Sequence, residues 1–197
     1  MLRNYTALEP VMLAPGVGYA QPTQALLQNV ALEDPAIRVM TDFHSAMAVI
    51  TLPGDTVNEA HRRMIQRGVR LLLVVDQDRQ VVGLITASDV LGEKPMQVIT
   101  QRGISRQELL VRDIMTPQRQ LEALKLEDVR IAKVGHIVAT LRGAGRQHTL
   151  VVERDASGRQ FVRGLFSATQ IARQLGVSIQ TDEIARTFSE IEAQLAR

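Results

Sequence analysis

The sequence has no cysteine and no tryptophan, and only 3% of its 197 residues are aromatic. Without cysteine, disulfides, zinc ribbons and thiol catalysis are excluded. The scarcity of aromatic rings leaves few surfaces on which single-stranded bases could stack. The core must therefore be built from Val, Leu, Ile, Ala and Met, a composition that suits helices packed on short aliphatic strands.

Long apolar runs are also missing. No stretch approaches the roughly 20 residues that a membrane-spanning helix needs. Glu9 and Pro10 interrupt the apolar stretch near the N-terminus that a secretory signal would require. We therefore expect no membrane association, and these absences together favour a cytoplasmic protein.

Charge of either sign is nearly balanced, with 23 basic and 21 acidic residues and a net charge of +2. A nucleic-acid-binding protein would usually show a concentrated basic face. Acidic residues interrupt the densest basic group, which comprises Arg142, Arg146, His148, Arg154, Arg159 and Arg163. We interpret this group as a solvated surface and keep nucleic-acid binding as the weakest hypothesis, which predicts an affinity that falls steeply with salt.

An internal repeat is the most informative feature of the chain. Val39-Met40-Thr41 recurs as Ile114-Met115-Thr116, and the segment Gly83–Asp89 recurs as Gly164–Gln170. A repeat longer than about 50 residues that occurs only twice argues for a duplicated small domain and against a solenoid.

Both copies show the same order of strand, helix, strand, strand and helix. The elements predicted in the first copy are a strand over Ala48–Leu52, a helix after the capping box Thr56–Glu59 that ends at Gly68, strands over Leu71–Val75 and Gln80–Thr86, and a helix from Ala87. Those predicted in the second copy are strands over Leu121–Leu126, Thr149–Glu153 and Phe161–Phe166, a helix through Val134, Ile137, Val138 and Leu141, and a helix from Ala168.

The fold class is therefore α/β (α+β), with five segments. They are an irregular, Pro- and Gly-rich extension (1–36), copy 1 (37–93), linker helices (94–111), copy 2 (112–176) and a C-terminal amphipathic helix (177–197). The linker helices are predicted over Met96–Gln101 and Ser105–Ile114. The C-terminal helix, strongest over 182–196, either packs on its own module or forms a dimer contact.

This duplicated order, with a Met-Thr start and a G-h-h-S/T-x-x-D/N end in copy 1, resembles the tandem CBS domain, or Bateman module. The segment Arg112–Pro117 before copy 2 is part of the likeness, which covers roughly residues 37–175. The resemblance implies two β-α-β-β-α copies that associate through their sheets around a pseudo-twofold axis and leave two clefts. It also implies a homodimer, and clefts that in many members bind AMP, ADP, ATP or S-adenosylmethionine.

The resemblance assigns ribose recognition to the segment that contains Gly83, Thr86, Ser88 and Asp89. An ionised Asp89 can accept from both vicinal ribose hydroxyls, and such charge-assisted bonds are worth about 1.5–3 kcal/mol each. The Thr86 hydroxyl and free backbone N–H groups beside it could meet a phosphate at the start of a helix. Gly83 would let backbone or ligand approach closely.

Other residues enter the candidate site by the same resemblance. Val49 and Ile50 flank the first strand and would sandwich the base, with ordinary core packing as the alternative. Arg70, Arg146 and His148 stand near the place from which a basic residue reaches the phosphates, with surface solvation as the alternative.

A competing interpretation needs no ligand. Thr86–Asp89 and Ser167–Gln170 both match helix capping boxes, and capping explains both copies. Ribose binding fits only Asp89, because Gln170 lacks the carboxylate. We favour ribose binding at Asp89 and expect the second cleft to be degraded, empty or tuned to another ligand.

No pattern indicates catalysis or a metal. The four histidines lack ligand spacing, and no nucleophile elbow or P-loop is present. We therefore predict a non-catalytic sensor that needs no cofactor, binds an adenine nucleotide or S-adenosylmethionine as a regulatory ligand, and passes its signal to an unknown effector protein. The alternative is an interaction or structural module whose clefts are vestigial.

Overall fold

The structure is a computed structural model that describes Met12 and residues 29–177. In chain order its strands and helices are β1 (Thr41–Asp42), β2 (Ile50–Thr51), α1 (Val57–Arg67), β3 (Leu71–Val75), β4 (Val81–Thr86), α2 (Ala87–Leu91), α3 (Lys94–Arg102), α4 (Val111–Ile114), β5 (Thr116–Pro117), β6 (Ala123–Lys125), α5 (Leu126–Ile131), α6 (Val134–Gly143), β7 (His148–Arg154), β8 (Gln160–Ser167) and α7 (Ala168–Gln174). Short 3-10 turns cover Ala36–Val39 and Gln118–Gln120.

The predicted β-α-β-β-α order is confirmed in both copies. Copy 1 runs β2-α1-β3-β4-α2, and copy 2 runs β6-α6-β7-β8-α7 with the additional helix α5 after its first strand. Local signals act as expected: the Thr56–Glu59 capping box is formed at the start of α1, and Gly68 ends that helix with a φ of 63°. The mixed α+β class is therefore established.

Each sheet contains one strand that comes from the other copy. In the described chain, the two sheets have the orders β2-β3-β4-β5 and β1-β8-β7-β6, so β5 completes the sheet of copy 1 and β1 completes that of copy 2. Both exchanged strands run antiparallel to the strand they join. Each copy thus contributes its first strand to the sheet of the other copy. The sheets therefore do not follow the domain boundaries predicted at residues 37 and 112.

Glycines make this exchange sterically possible. A Cβ atom at Gly83 would lie 2.7 Å from the carbonyl oxygen of Thr116, and one at Gly164 would lie 2.3 Å from that of Thr41. Both distances are shorter than a Cβ can tolerate, so the exchanged strand can approach only a glycine. An Arg163 guanidinium then holds β1 in place through two bonds of 2.8 and 2.7 Å to the Asp42 carboxylate.

Alternating side chains of β3 divide the core into layers, because successive residues of a strand face opposite sides of the sheet. Leu72 and Val74 pack with α1 and α2 residues in the copy 1 core. Leu71, Leu73 and Val75 instead pack against Leu150 of β7, so the two sheets meet through an apolar layer. Fully burying each such side chain contributes about 1.5–3 kcal/mol. The pseudo-twofold relation of the copies stays a prediction.

The flanking segments depart from the sequence-based expectations. The end of the predicted extension is part of the copy 2 core, because Val30 and Ala36 are buried there. The predicted linker helix over Ser105–Ile114 is wrong except for its last turn, α4, whereas α3 contains the predicted Met96–Gln101 helix. The predicted helix over 182–196 lies outside the described residues, as does most of the extension.

Candidate functional site

A cleft of about 410 Å³ lies between the two copies and is lined by both of them. On one side the chain passes from β4 into α2, and on the other the segments before β6 and β7 close the space. Six of the nine predicted site residues line this cleft: Arg70, Thr86, Ser88, Asp89, Arg146 and His148. Residues separated by up to 78 positions are thus brought to one surface.

Three predicted residues lie elsewhere. Gly83 is buried under Thr116, so its lack of a side chain serves the approach of a strand and not of a ligand. Val49 packs against the copy 1 core, and Ile50 against the layer between the sheets. Both residues therefore make ordinary core contacts, which was the alternative to contact with a base.

Two residues of copy 2, Leu121 and Glu122, lie in the cleft where Val49 of copy 1 was expected. Ile50 pairs with Leu73 and Ala123 with Leu150 in the same position of the two sheets, so Val49 is the counterpart of Glu122. Leu121 and Glu122 line the cleft. The exchange of leading strands explains this, because it carries the start of copy 2 to the β4–α2 corner of copy 1. Only knowledge of the pairing could have identified these two residues.

Asp89 is the most enclosed charged residue of the cleft, with 9% of its surface exposed. Its Oδ2 accepts from the Thr86 backbone N–H at 2.9 Å and from the Thr86 hydroxyl at 2.7 Å. The Asp89 backbone N–H donates in return to the Thr86 hydroxyl at 3.2 Å. The predicted capping box is therefore formed, and it uses one of the two carboxylate oxygens.

The start of α2 offers fewer N–H groups to an anion than the sequence suggested. The N–H groups of Thr86 and Asp89 are committed to the capping box, and that of Ala87 donates to the Arg70 carbonyl at 2.9 Å. The expectation of free N–H groups at this junction is therefore wrong for these three residues. A phosphate in the cleft therefore cannot use these three N–H groups.

The second Asp89 oxygen, Oδ1, accepts from the ammonium of Lys94. Lys94 is the first residue of α3 and also lines the cleft, with 51% of its side chain exposed. Sequence reasoning missed it. The signal that could have found it is the five-residue spacing from Asp89 across a short break between two helices.

Three further groups set the electrostatics of the cleft. Arg146 pairs with Glu122 across 2.7 Å, whereas Arg70 has no carboxylate partner among the described residues. Burial, with a smaller contribution from the charge of Arg70, lowers the pKa of His148 to about 4. His148 is therefore a neutral donor or acceptor at pH 7, and it does not supply the cation that was expected there.

The equivalent corner of copy 2 has different chemistry. Ser167 makes no side-chain capping bond at the start of α7, so the predicted Ser167–Gln170 capping box is not formed. The Gln170 amide oxygen instead accepts from the Thr41 hydroxyl of the exchanged strand β1 at 3.1 Å. Gln170 thus binds strand β1, whereas Asp89 at the equivalent position of copy 1 lines the cleft.

Several basic residues of the group considered for nucleic-acid binding form ion pairs with nearby carboxylates. Arg159 contacts Asp155 at 3.5 Å, and Arg163 bridges Asp42 and Glu153. Within residues 29–177 and Met12, no cluster of three or more His, Asp or Glu side chains has an arrangement that could hold a metal ion.

No helix of the described chain combines the length and apolar character that crossing a membrane requires.

Comparison with known proteins identifies the class. Residues 36–95 match the family model of the CBS domain. This segment is therefore a CBS domain, and the second half of the chain repeats the same order of strands and helices.

Individual relatives are distant. An uncharacterized protein of Methanopyrus kandleri is 40% identical over 53 residues, which are 26% of this chain and 27% of that protein. The match thus spans about a quarter of the length of this curated relative.

Two solved structures show the same fold. An uncharacterized conserved protein from Pyrococcus horikoshii is 22% identical with a TM-score of 0.54, covering 78% of this chain and all of that one. A CBS-domain protein from Burkholderia ambifaria is 20% identical with a TM-score of 0.50, covering 69% of this chain and 89% of that one.

Proposed function

We propose that this chain is a regulatory module that binds an adenosine-containing nucleotide, AMP, ADP, ATP or S-adenosylmethionine, in the cleft between its two CBS copies. One observation carries the proposal. The described chain has a cleft of about 410 Å³ between its copies, and the largely buried Asp89 carboxylate lines it. This volume falls within the range of small-molecule sites.

The chemistry of the lining supports the proposed ligand class. Each carboxylate oxygen has two lone pairs, so Asp89 Oδ1 can accept from ribose hydroxyls once Lys94 moves. Leu71, Leu84 and Leu121 give the cleft apolar surface for a base, and Arg70, which pairs with no carboxylate of the described residues, offers positive charge for phosphate. The binding residues in this proposal are Asp89, Thr86, Ser88, Arg70, Arg146 and His148.

A ligand that touches both copies can act as a signal, provided that it prefers one arrangement of the copies over another. The exchanged strands β1 and β5 couple the copies mechanically, because each sheet contains a strand from its neighbour. We further propose that the module has no catalytic role, forms a homodimer in the cytoplasm and transmits its state to an effector protein.

The test is a thermal-shift screen against AMP, ADP, ATP, S-adenosylmethionine, NAD and cyclic dinucleotides. A ligand at about 100 times its dissociation constant adds about 2.7 kcal/mol of stability. Affinities of any ligand found are then measured for Asp89→Ala and for Glu59→Ala. Glu59 is a matched control, because its capping box on α1 has nearly the same bond lengths as that of Asp89 and lies outside the cleft.

Both variants should lose about 0.5–2 kcal/mol of stability with their capping box. Only Asp89→Ala should weaken the nucleotide, by about 10-fold or more. Equal affinity in the two variants would contradict the assignment of Asp89. A well-folded protein that responds to none of the ligands would favour the interaction module with vestigial clefts.

A further inference from the structure

The cleft contains an internal competitor for its own ligand. The Lys94 ammonium lies on Asp89 Oδ1, whereas Oδ2 is held by Thr86 in the capping box. Oδ1 is therefore the oxygen left for ribose hydroxyls, and Lys94 occupies it. Any ligand that binds Asp89 through a diol must displace or share this ammonium.

The surrounding charges determine what Lys94 can do once displaced. Among the cleft residues the cations are Arg70, Lys94 and Arg146, and the carboxylates are Asp89 and Glu122. Glu122 is paired with Arg146 at 2.7 Å, and His148 is neutral at pH 7. A displaced Lys94 therefore finds no free carboxylate among these groups, and Arg70 adds a second cation that has no carboxylate partner in the part of the chain that the structure describes.

We infer that Lys94 selects the ligand class of this cleft, admitting adenosine nucleotides that carry a phosphate and disfavouring adenosine compounds without one. The inference rests on the proposed nucleotide-binding function. A phosphate brings a charge of about −1.5 to −2 and strong acceptor oxygens, so it pairs with the ammonium that the ribose displaces. Adenosine displaces the ammonium without compensating it. S-adenosylmethionine has one carboxylate, but its sulfonium and ammonium groups give it a net positive charge, which the cations of the cleft disfavour.

The position of Lys94 suits this role. It begins α3, and the next residue, Pro95, is buried and anchors the helix start. The Lys94 side chain itself is about half exposed, so it can change partner without disturbing the core. Its ammonium is a point charge on a flexible stem, which suits the capture of a phosphate in more than one geometry.

The equivalent positions in copy 2 lack this arrangement. Arg70 and Gln147 are counterparts, because the carbonyl of each accepts a hydrogen bond from the first N–H of the following helix, that of Ala87 or Ala168. The same alignment matches Asp89 with Gln170 and Lys94 with Leu175. Both members of the ion pair are therefore replaced by uncharged side chains, and the proposed selection applies to the first cleft alone.

The experiment is calorimetric titration of the full chain with AMP, adenosine and S-adenosylmethionine, using wild type, Lys94→Gln and Lys94→Arg. Lys133→Gln serves as the matched control, because Lys133 has a similar exposure, 53%, and pairs with Glu33 outside the cleft. Wild type should bind AMP at least about 10-fold more tightly than adenosine or S-adenosylmethionine. Lys94→Gln should lower this preference about 10-fold, because it should bind AMP more weakly and adenosine more tightly than wild type. Lys94→Arg and Lys133→Gln should keep the wild-type preference.

The outcomes separate the two proposals. If Lys94→Gln keeps the wild-type preference, or wild type prefers adenosine or S-adenosylmethionine, the role of Lys94 is overturned while the nucleotide-binding function stands. If no adenosine compound binds wild type or Lys94→Gln, both proposals fail.

Discussion

The two copies begin their last helices after a residue with extended backbone in each case, but with different side chains. In copy 1, Thr86 and Asp89 form a complete capping box, and Asp89 also faces an ammonium in the cleft. In copy 2, Ser167 makes no capping bond, and Gln170 contacts the exchanged strand β1. The comparison indicates that one corner of the duplicated fold is organised around charge and the other around strand attachment.

The contrast extends beyond one residue. Glu122 and Arg146, which pair in the first cleft, have Val49 and Val69 as their counterparts in copy 1. Together with Arg70, Asp89 and Lys94, five charged residues of the first cleft thus correspond to uncharged residues in the other copy. A duplicated fold can therefore keep its scaffold while only one of its corners keeps the groups that suit a charged ligand.

The largest expected effect comes from breaking the core at matched positions of the two copies. Phe166 and Ile85 immediately precede the N-cap residues of α7 and α2, and both are fully buried. Phe166→Ala should lower the free energy of unfolding by about 3–5 kcal/mol and Ile85→Ala by about 2–5 kcal/mol, because each leaves a cavity. Urea denaturation followed by circular dichroism measures both values.

The same experiment tests the strand exchange. Because each sheet contains a strand from the other copy, damage to either core should shift one common transition. Two separate transitions in Phe166→Ala, with one copy persisting, would contradict mechanical coupling through β1 and β5.

The next effect concerns the glycines beneath the exchanged strands. Gly83→Ala and Gly164→Ala should each lower the free energy of unfolding by about 1–3 kcal/mol, because the new Cβ meets a carbonyl oxygen and overpacks the sheet. Gly54→Ala is the control, since nothing lies within 4 Å of its added Cβ, and it should stay within about 0.5 kcal/mol of wild type. Thermal unfolding of the three variants makes the comparison, and equal stabilities would speak against tight strand approach.

A smaller effect on the free energy of unfolding distinguishes the start of α2 from the start of α7. Thr86→Ala removes the capping hydroxyl and should cost about 0.5–2 kcal/mol. Ser167→Ala removes a hydroxyl that makes no capping bond, so it should stay within about 0.5 kcal/mol of wild type. Chemical denaturation of both variants measures the difference, and a larger loss at Ser167 would reverse the comparison between the copies.

The smallest effect is the pH dependence from His148. Its pKa is lowered to about 4 in the folded chain and is about 6.5 in an unfolded one. The unfolded chain therefore binds the proton more readily, so this contribution to stability is complete above about pH 6.5 and is lost as the pH falls towards 4. Between pH 7 and about pH 5.5, His148→Gln should lose about 1 kcal/mol less stability than wild type, as urea unfolding at both values would measure. An identical pH dependence in the two proteins would contradict this environment of His148.

Much of the scaffold could be predicted from the sequence because its signals are local. The aliphatic run of β3 and the Thr56–Glu59 capping box depend on neighbouring residues and were predicted correctly. The exchange of β1 and β5 could not be predicted, since it depends on which strand edge is free in the folded chain. The assignment of Val49 and Ile50 to the cleft failed for this reason.

The site was predictable where the motif itself enters the cleft and where basic residues precede the second strand of each copy. Thr86, Ser88 and Asp89 follow from the repeated segment, but Lys94 and Glu122 become neighbours of that segment only through tertiary packing. The pairing of Gln170 with Thr41 was hidden for the same reason, because 129 residues separate the two.

The most direct test of the central claim is the stoichiometry of AMP binding, measured by calorimetry for wild type, Asp89→Asn and Gln170→Ala. Asn can still accept a capping bond, so Asp89→Asn removes the charge with little effect on the helix start. We predict one AMP per chain in wild type and in Gln170→Ala, and an affinity about 10-fold or more weaker in Asp89→Asn. Two AMP per chain, or binding that is lost in Gln170→Ala and unchanged in Asp89→Asn, would contradict it.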